Sequence, residues 1–213
     1  MRHWRLLFIS IFIIAILTTS SMAAIRTVTY TSELFTPDGE YVDWTGNHTF
    51  PKFNPALGNL LSVYFTTTLN ATLYGAAENR ASGTVAKATI VVDTDMYVEM
   101  INGQKLPLYV RLNNSTTNIS GYDGTLDYLG NSSFNGTDAN DTWGDVYYSD
   151  PANVTYYSGI GTFPLLTSTH ASSRVEGGGS WASLIDTLAW SYATITYTYD
   201  DSRCLSGYKL DGC

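Results

Sequence analysis

The sequence predicts an all-β fold, an antiparallel β-sandwich of jelly-roll-like type, and three observations predict it. Thr and Tyr are abundant, with 16 Tyr and 5 Trp in 213 residues, and these are residue types that fit a pleated, half-buried surface. Apolar and polar residues alternate with period two over Leu61 to Leu73. Gly, Pro and Asn punctuate the chain at short intervals, with no long helix-periodic runs between them.

Taken in order, Ile25 to Ser32 alternates and reads as a first strand, and Pro37-Asp38-Gly39 is a turn signal. Tyr41 to Thr45 and His48 to Phe53 are short strand candidates. In Leu61 to Leu73, Leu61, Val63, Phe65, Leu69, Ala71 and Leu73 share one face, so that face should be buried. Gly75 to Gly83 breaks the pattern and Thr84 to Asp93 resumes it, which predicts a long hairpin. Leu106 to Leu112, Asp145 to Ser149, Val154 to Tyr157, Ile160 to Thr169 and Ala189 to Tyr199 are further strands. Ser180 to Trp190 is either a helical turn or a loop feeding the last strand. Asn113 to Asp145, rich in Asn, Asp, Gly, Ser and Thr, reads as a long surface excursion.

The ends divide the chain into residues 1–24, 25–201 and 202–213. Arg2 and Arg5 precede the apolar run Leu6 to Leu17, and Ser21-Met22-Ala23-Ala24 supplies small residues. That reads as a leader for export, cleaved after Ala23 or Ala24, with an uncleaved N-terminal anchor as the alternative; its apolar run is far short of a membrane-spanning helix. The mature chain then has no transmembrane helix. Removing Arg2 and Arg5 takes the formal charge from -8 to -10, a balance that argues against nucleic-acid partners. Residues 25–201 suffice for one sizeable domain. Cys204 and Cys213 sit close together, and outside the cell they could pair with one another or with a partner.

The densest chemical signal is Asn-x-Ser/Thr. Such triplets stand at Asn47, Asn70, Asn113, Asn114, Asn118, Asn131, Asn135, Asn140 and Asn153, nine of the thirteen asparagines. An Asn-, Ser- and Thr-rich surface produces some triplets incidentally, but this density points to an N-glycosylated surface. Asn70 falls on the polar face of its strand, where a glycan would reach solvent.

Catalytic signals are sparse. His48 and His170 are each isolated and read as solvent-facing, and no nucleophile elbow, zinc helix or phosphate loop is present. Glu33, Glu40, Asp43, Glu78, Glu99 and Glu176 are not placed in facing pairs by any spacing. The expectation is no enzyme and no cofactor. Calcium is the one candidate metal, with Asp138, Asp141 and Asp145 as ligands beside Asp123, Asp127 and Asp150. Trp44, Trp143, Trp181 and Trp190, with Tyr147-Tyr148 and Tyr156-Tyr157, are the candidates for stacking on sugars; most should pack in the core.

With the strands placed, FPKFNPALGNLLSV resembles the entry motif of the choice-of-anchor E domain family. Phe53, Pro55, Leu57, Gly58, Leu60 and Val63 stand at its motif positions, while Asn54 replaces the customary acid. TYYSGIGTFPLLTSTHASS and ASLIDTLAWSYATITYTYD resemble later segments of that family, so the likeness spans roughly Ile25 to Asp200. It implies an exported bacterial or archaeal surface domain without catalysis; the expected partners are cell-envelope or extracellular-matrix components, with glycans as further candidates. It also implies an anchoring signal, which would lie beyond Cys213. CLSGYKLDGC resembles the first strand of a prealbumin-like adhesin repeat. The expected function is a structural or adhesive surface domain, with a lectin-like carbohydrate-binding module as the alternative.

Overall fold

The computed structural model describes residues 24–34 and 40–201. The leader, the Pro37-Asp38-Gly39 turn, the Cys204 and Cys213 pair and the adhesin-like tail lie outside the described residues. Nine strands are described: β1 (Ile25–Leu34), β2 (Glu40–Tyr41), β3 (Thr45–Pro51), β4 (Asn59–Asn79), β5 (Val85–Glu99), β6 (Lys105–Ile119), β7 (Ser133–Tyr148), β8 (Thr162–Gly177) and β9 (Trp181–Asp200). One short helix, α1 (Pro151–Tyr156), and two 3-10 turns, Pro55–Leu57 and Gly130–Ser132, interrupt them. Among the described residues no helix is long and apolar enough to cross a membrane.

The strands form two antiparallel sheets, ordered β1-β9-β4-β7 and β3-β8-β5-β6, with β2 added beside β9. The pairs β5–β6, β4–β7, β3–β8 and β1–β9 are all hydrogen-bonded. The chain is therefore one long antiparallel ribbon, closed where Met100 N–H donates to Gln104 O at 2.7 Å. Successive lengths of the ribbon go to alternate sheets, which is the jelly-roll arrangement.

Alternation decides what fills the space between the sheets. Val63, Phe65, Leu69, Ala71 and Leu73 of β4 face Ile90, Val92, Met96 and Val98 of β5, all buried. Phe50, Leu112, Leu165, Ile195 and Tyr197 complete the same core. Each such large side chain contributes about 1.5–3 kcal/mol through burial.

Several expectations are corrected. Leu61 is 41% exposed, because a bulge between Leu60 and Ser62 shifts the register and turns it outward. Gly75 does not end its strand: β4 runs on to Asn79, and Gly75 is the point where a Cβ would sit 2.8 Å from Ile90 Cδ1. β4 and β5 do not form a hairpin. They lie in opposite sheets and pack face to face, while the hairpin is β5–β6.

The expected excursion Asn113 to Asp145 is mostly strand. Its first part belongs to β6 and its last to β7, and β7 is laddered to β4 from Val63↔Tyr148 to Glu78↔Ser133. An edge strand with little core contact can be polar on both sides, so its composition imitates a loop. Val154 to Tyr157 lies in α1 and its end rather than a strand: Asp150 accepts from Asn153 N–H at 3.0 Å as N-cap, and Pro151 opens the helix. Ser180 to Trp190 belongs almost wholly to β9 rather than to a helix or loop.

The stretch from Phe50 to Val63 fastens one end of the roll. Phe53 is buried, its ring 5.1 Å from that of Tyr199 and 5.9 Å from that of Tyr197. Its N–H donates to Tyr157 O and its carbonyl accepts from Gly159 N–H, both at 2.9 Å. Asn54 caps the Pro55–Leu57 turn, Leu57 packs against the core, and Val63 is buried within it. Gly58 has φ +146°, and a Cβ there would lie 2.1 Å from Asp200 O. Only glycine lets the strands β4 and β9 close here.

Candidate functional site

The two outer faces of the sandwich differ in chemistry. On the β3-β8-β5-β6 sheet, Asp93 meets Arg174 and Arg111, and Glu176 pairs with both arginines. The hydrogen bond from Tyr109 and the guanidinium of Arg174 hold the Asp93 carboxyl below its usual range. His170 Nδ1 lies 2.6 Å from Asp43 Oδ1. This face carries an ionic cluster in which Asp93, Glu176, Arg111 and Arg174 pair with one another.

The β1-β9-β4-β7 sheet presents the opposite character. Strands β4, β7 and β9 contain no Lys and no Arg. Since Phe65, Leu69, Ala193 and Ile195 point inward, their neighbours along each strand point out. The register then lays the outward residues in rows. Tyr147 stands beside Tyr64, which stands beside Thr196. Asp145, Thr66 and Thr194 form the next row; Trp143, Thr68 and Tyr192 the third; Asp141, Asn70 and Trp190 the fourth.

Trp143 is 68% exposed and Tyr147 61% exposed. Four residues apart on one strand, they are separated by about 13 Å. Tyr64 and Tyr192 are also exposed. The Asp145 carboxylate beside the Tyr64 hydroxyl raises the tyrosine pKa. Beyond them lies a shallow depression of about 370 Å³, lined by Tyr74, Gly75, Ala76, Asn135, Gly136, Thr137, Leu184 and Asp186. A flat face of rings, hydroxyls and carboxylates can stack on the C–H faces of a sugar and hydrogen-bond its hydroxyls.

Other aromatics are structural. Trp44 is buried and donates from Nε1 to Ala189 O at 3.1 Å. Trp181 is half-buried, edge-on to Phe134 at 6.0 Å. In the adjacent tyrosine pairs, Tyr148 and Tyr157 are buried and stacked at 5.7 Å, while Tyr147 and Tyr156 face solvent.

The calcium candidates do not converge. Asp138 Oδ2 accepts from Asn113 N–H of β6 at 2.7 Å, whereas Asp141 and Asp145 point out on the aromatic face. Among the described residues no group of three or more metal-ligating side chains comes together.

The Asn-x-Ser/Thr triplets spread over both sheets, with Asn47 on β3, Asn113, Asn114 and Asn118 on β6, Asn70 on β4, and Asn135 and Asn140 on β7. Asn47, Asn113, Asn118, Asn131, Asn135 and Asn140 are exposed, and Asn114 is half-buried with Nδ2 bonded to Thr137 O at 3.4 Å. Asn153 Nδ2 donates to Asp150 Oδ2 at 2.7 Å. Asn70 lies on the outward face as expected but is half-buried, with its Nδ2 shielded from solvent, which makes it a poorly accessible site for a glycan.

Two buried polar residues carry no sequence signal of their own. His48, expected in solvent, is fully buried, with Nε2 2.8 Å from Ser191 Oγ and Nδ1 3.3 Å from Ser32 Oγ. Burial pushes its pKa down to about 4. His48 and Ser191 are both buried, so the His48 cluster reads as core. Glu78 is fully buried and accepts from Asp127 N–H at 3.0 Å and Tyr128 N–H at 2.8 Å.

No protein-family model matches the chain, and no curated protein matches it. Among solved structures it is similar to infectious bursal virus derived T=1 particles, at 11% identity over 85% of this chain and 36% of that one, with a TM-score of 0.26. It is also similar to the VP2 subviral particle of infectious bursal disease virus, at 9% identity over 85% and 38%, with a TM-score of 0.21. The chain spans well under half the length of these two proteins.

Proposed function

We propose that this chain is an exported, N-glycosylated domain of a bacterial or archaeal cell surface or envelope, with a structural and adhesive role and no catalysis. Its adhesive surface is the outer face of the β1-β9-β4-β7 sheet, and the ligand class is carbohydrate, which makes the domain lectin-like. The observation that carries this reading is the set of exposed rings Trp143, Tyr147, Tyr64 and Tyr192, in two rows of one face, on strands free of Lys and Arg. Four exposed rings grouped on one face, away from any basic side chain of their strands, are the kind of surface patch that marks an interaction site.

The leader supports export, and the resemblance to choice-of-anchor E domains supports the surface. The exposed triplets support glycosylation, since they lie away from the centre of the aromatic face. The partners are envelope or extracellular-matrix components bearing glycans. Protease shaving of intact cells tests the location: loss of the protein from shaved cells is expected, and full protection overturns the surface assignment.

A further inference from the structure

Asp201 ties the end of the ribbon to its beginning. Its N–H donates to Ala24 O at 3.2 Å, and its Oδ1 accepts from Ala24 N at 2.8 Å. Its Oδ2 bonds Arg26 Nε, and that bond holds the carboxyl below its usual range. The residue is charged yet buried. A buried carboxylate is matched better by a second cationic donor than by a neutral amide.

Residue 24 is also where the sequence ends its leader. Cleavage before Ala24 places small residues, Ser21 and Ala23, at the two positions that a leader cleavage site needs small. Cleavage one residue later places Met22 at the first of them, and it also removes both main-chain partners of Asp201 at residue 24.

We propose that the leader is removed between Ala23 and Ala24, and that the new α-ammonium of Ala24 is the partner for which Asp201 is placed. This rests on the export reading. Water adds its hydroxyl to the Ala23 carbonyl carbon and the C–N bond breaks, its electron pair going to Ala24 N. That nitrogen takes the second proton of the water and, at neutral pH, one more from solvent. The catalyst is the leader peptidase of the exporting cell. The precursor has only an amide at this place, so the terminal ion pair forms on processing and locks β1 against β9 in the mature domain.

The full chain, leader included, is expressed in an exporting cell and the product is read by N-terminal sequencing. Ala24 as the first residue is expected. Ile25 as the first residue overturns the inference and leaves export standing, whereas a product that keeps residues 1–23 overturns both. Asp201→Asn should then lower the Tm of the product by about 2–4 °C. In a chain with Gly-Ser placed before Ala24 the shift should be smaller, and equal shifts in the two would show that an amide serves as well and overturn the ion pair.

Discussion

His48 Nε2 and Ser191 Oγ lie 2.8 Å apart in the core, joining β3 of one sheet to β9 of the other. Burial disfavours the imidazolium, so the folded pKa of about 4 lies below the ordinary histidine value of 6.5. The unfolded chain therefore binds the proton more readily between those values. Stability from His48 is fully present above pH 6.5 and is lost as pH falls toward 4, by about 3 kcal/mol at full extent. Urea unfolding at pH 7 and pH 4.5 should show this loss, and His48→Gln should flatten it.

Gly58→Ala should destabilise the domain by at least ~2 kcal/mol, since it combines a positive φ with a contact against the Asp200 carbonyl. A lowered denaturant midpoint with unchanged slope is the expected reading. An unchanged midpoint would show that β4 and β9 can separate at this point without cost.

Glu78→Gln should loosen the 120–132 connection by about 1–3 kcal/mol, because an amide group replaces the carboxyl oxygens that accept from the Asp127 and Tyr128 N–H groups and from Ser132. Hydrogen exchange of those two amides should quicken while the β5–β6 ladder stays protected.

Glycopeptide mapping of the exported chain should find glycan at several of Asn47, Asn113, Asn118, Asn131, Asn135 and Asn140, and little at Asn70. The buried Nδ2 of Asn70 is the physical reason. High occupancy at Asn70 would mean that the centre of the aromatic face differs from the one described.

The inward face of β4 was legible because strict alternation has only one structural solution over that length. Its partner was not. Alternation marks two neighbouring strands without saying whether they pair edge to edge or pack face to face, and the short link from Arg80 to Thr84 carries the chain to the other sheet. β7 was hidden by its polar composition, since its place depends on backbone pairing to β4 rather than on burial. The helix α1 was readable in Asp150-Pro151, an N-cap followed by the residue best suited to the first turn. Trp143 and the Tyr147-Tyr148 pair stood out in the sequence. The register that sets Tyr64 and Tyr192 beside them did not, although the absence of Lys and Arg from three whole strands was there to be read.

The aromatic face is tested most directly on an array of polysaccharides and glycans, comparing the exported chain with Trp143→Ala/Tyr147→Ala. Both side chains are exposed, so the double variant should keep its Tm. The account predicts that the exported chain binds at least one glycan class and that the variant binds it tenfold or more weakly, a loss of about 1.4 kcal/mol. Glycan binding that survives the double substitution unchanged, or no binding to any glycan, would contradict it.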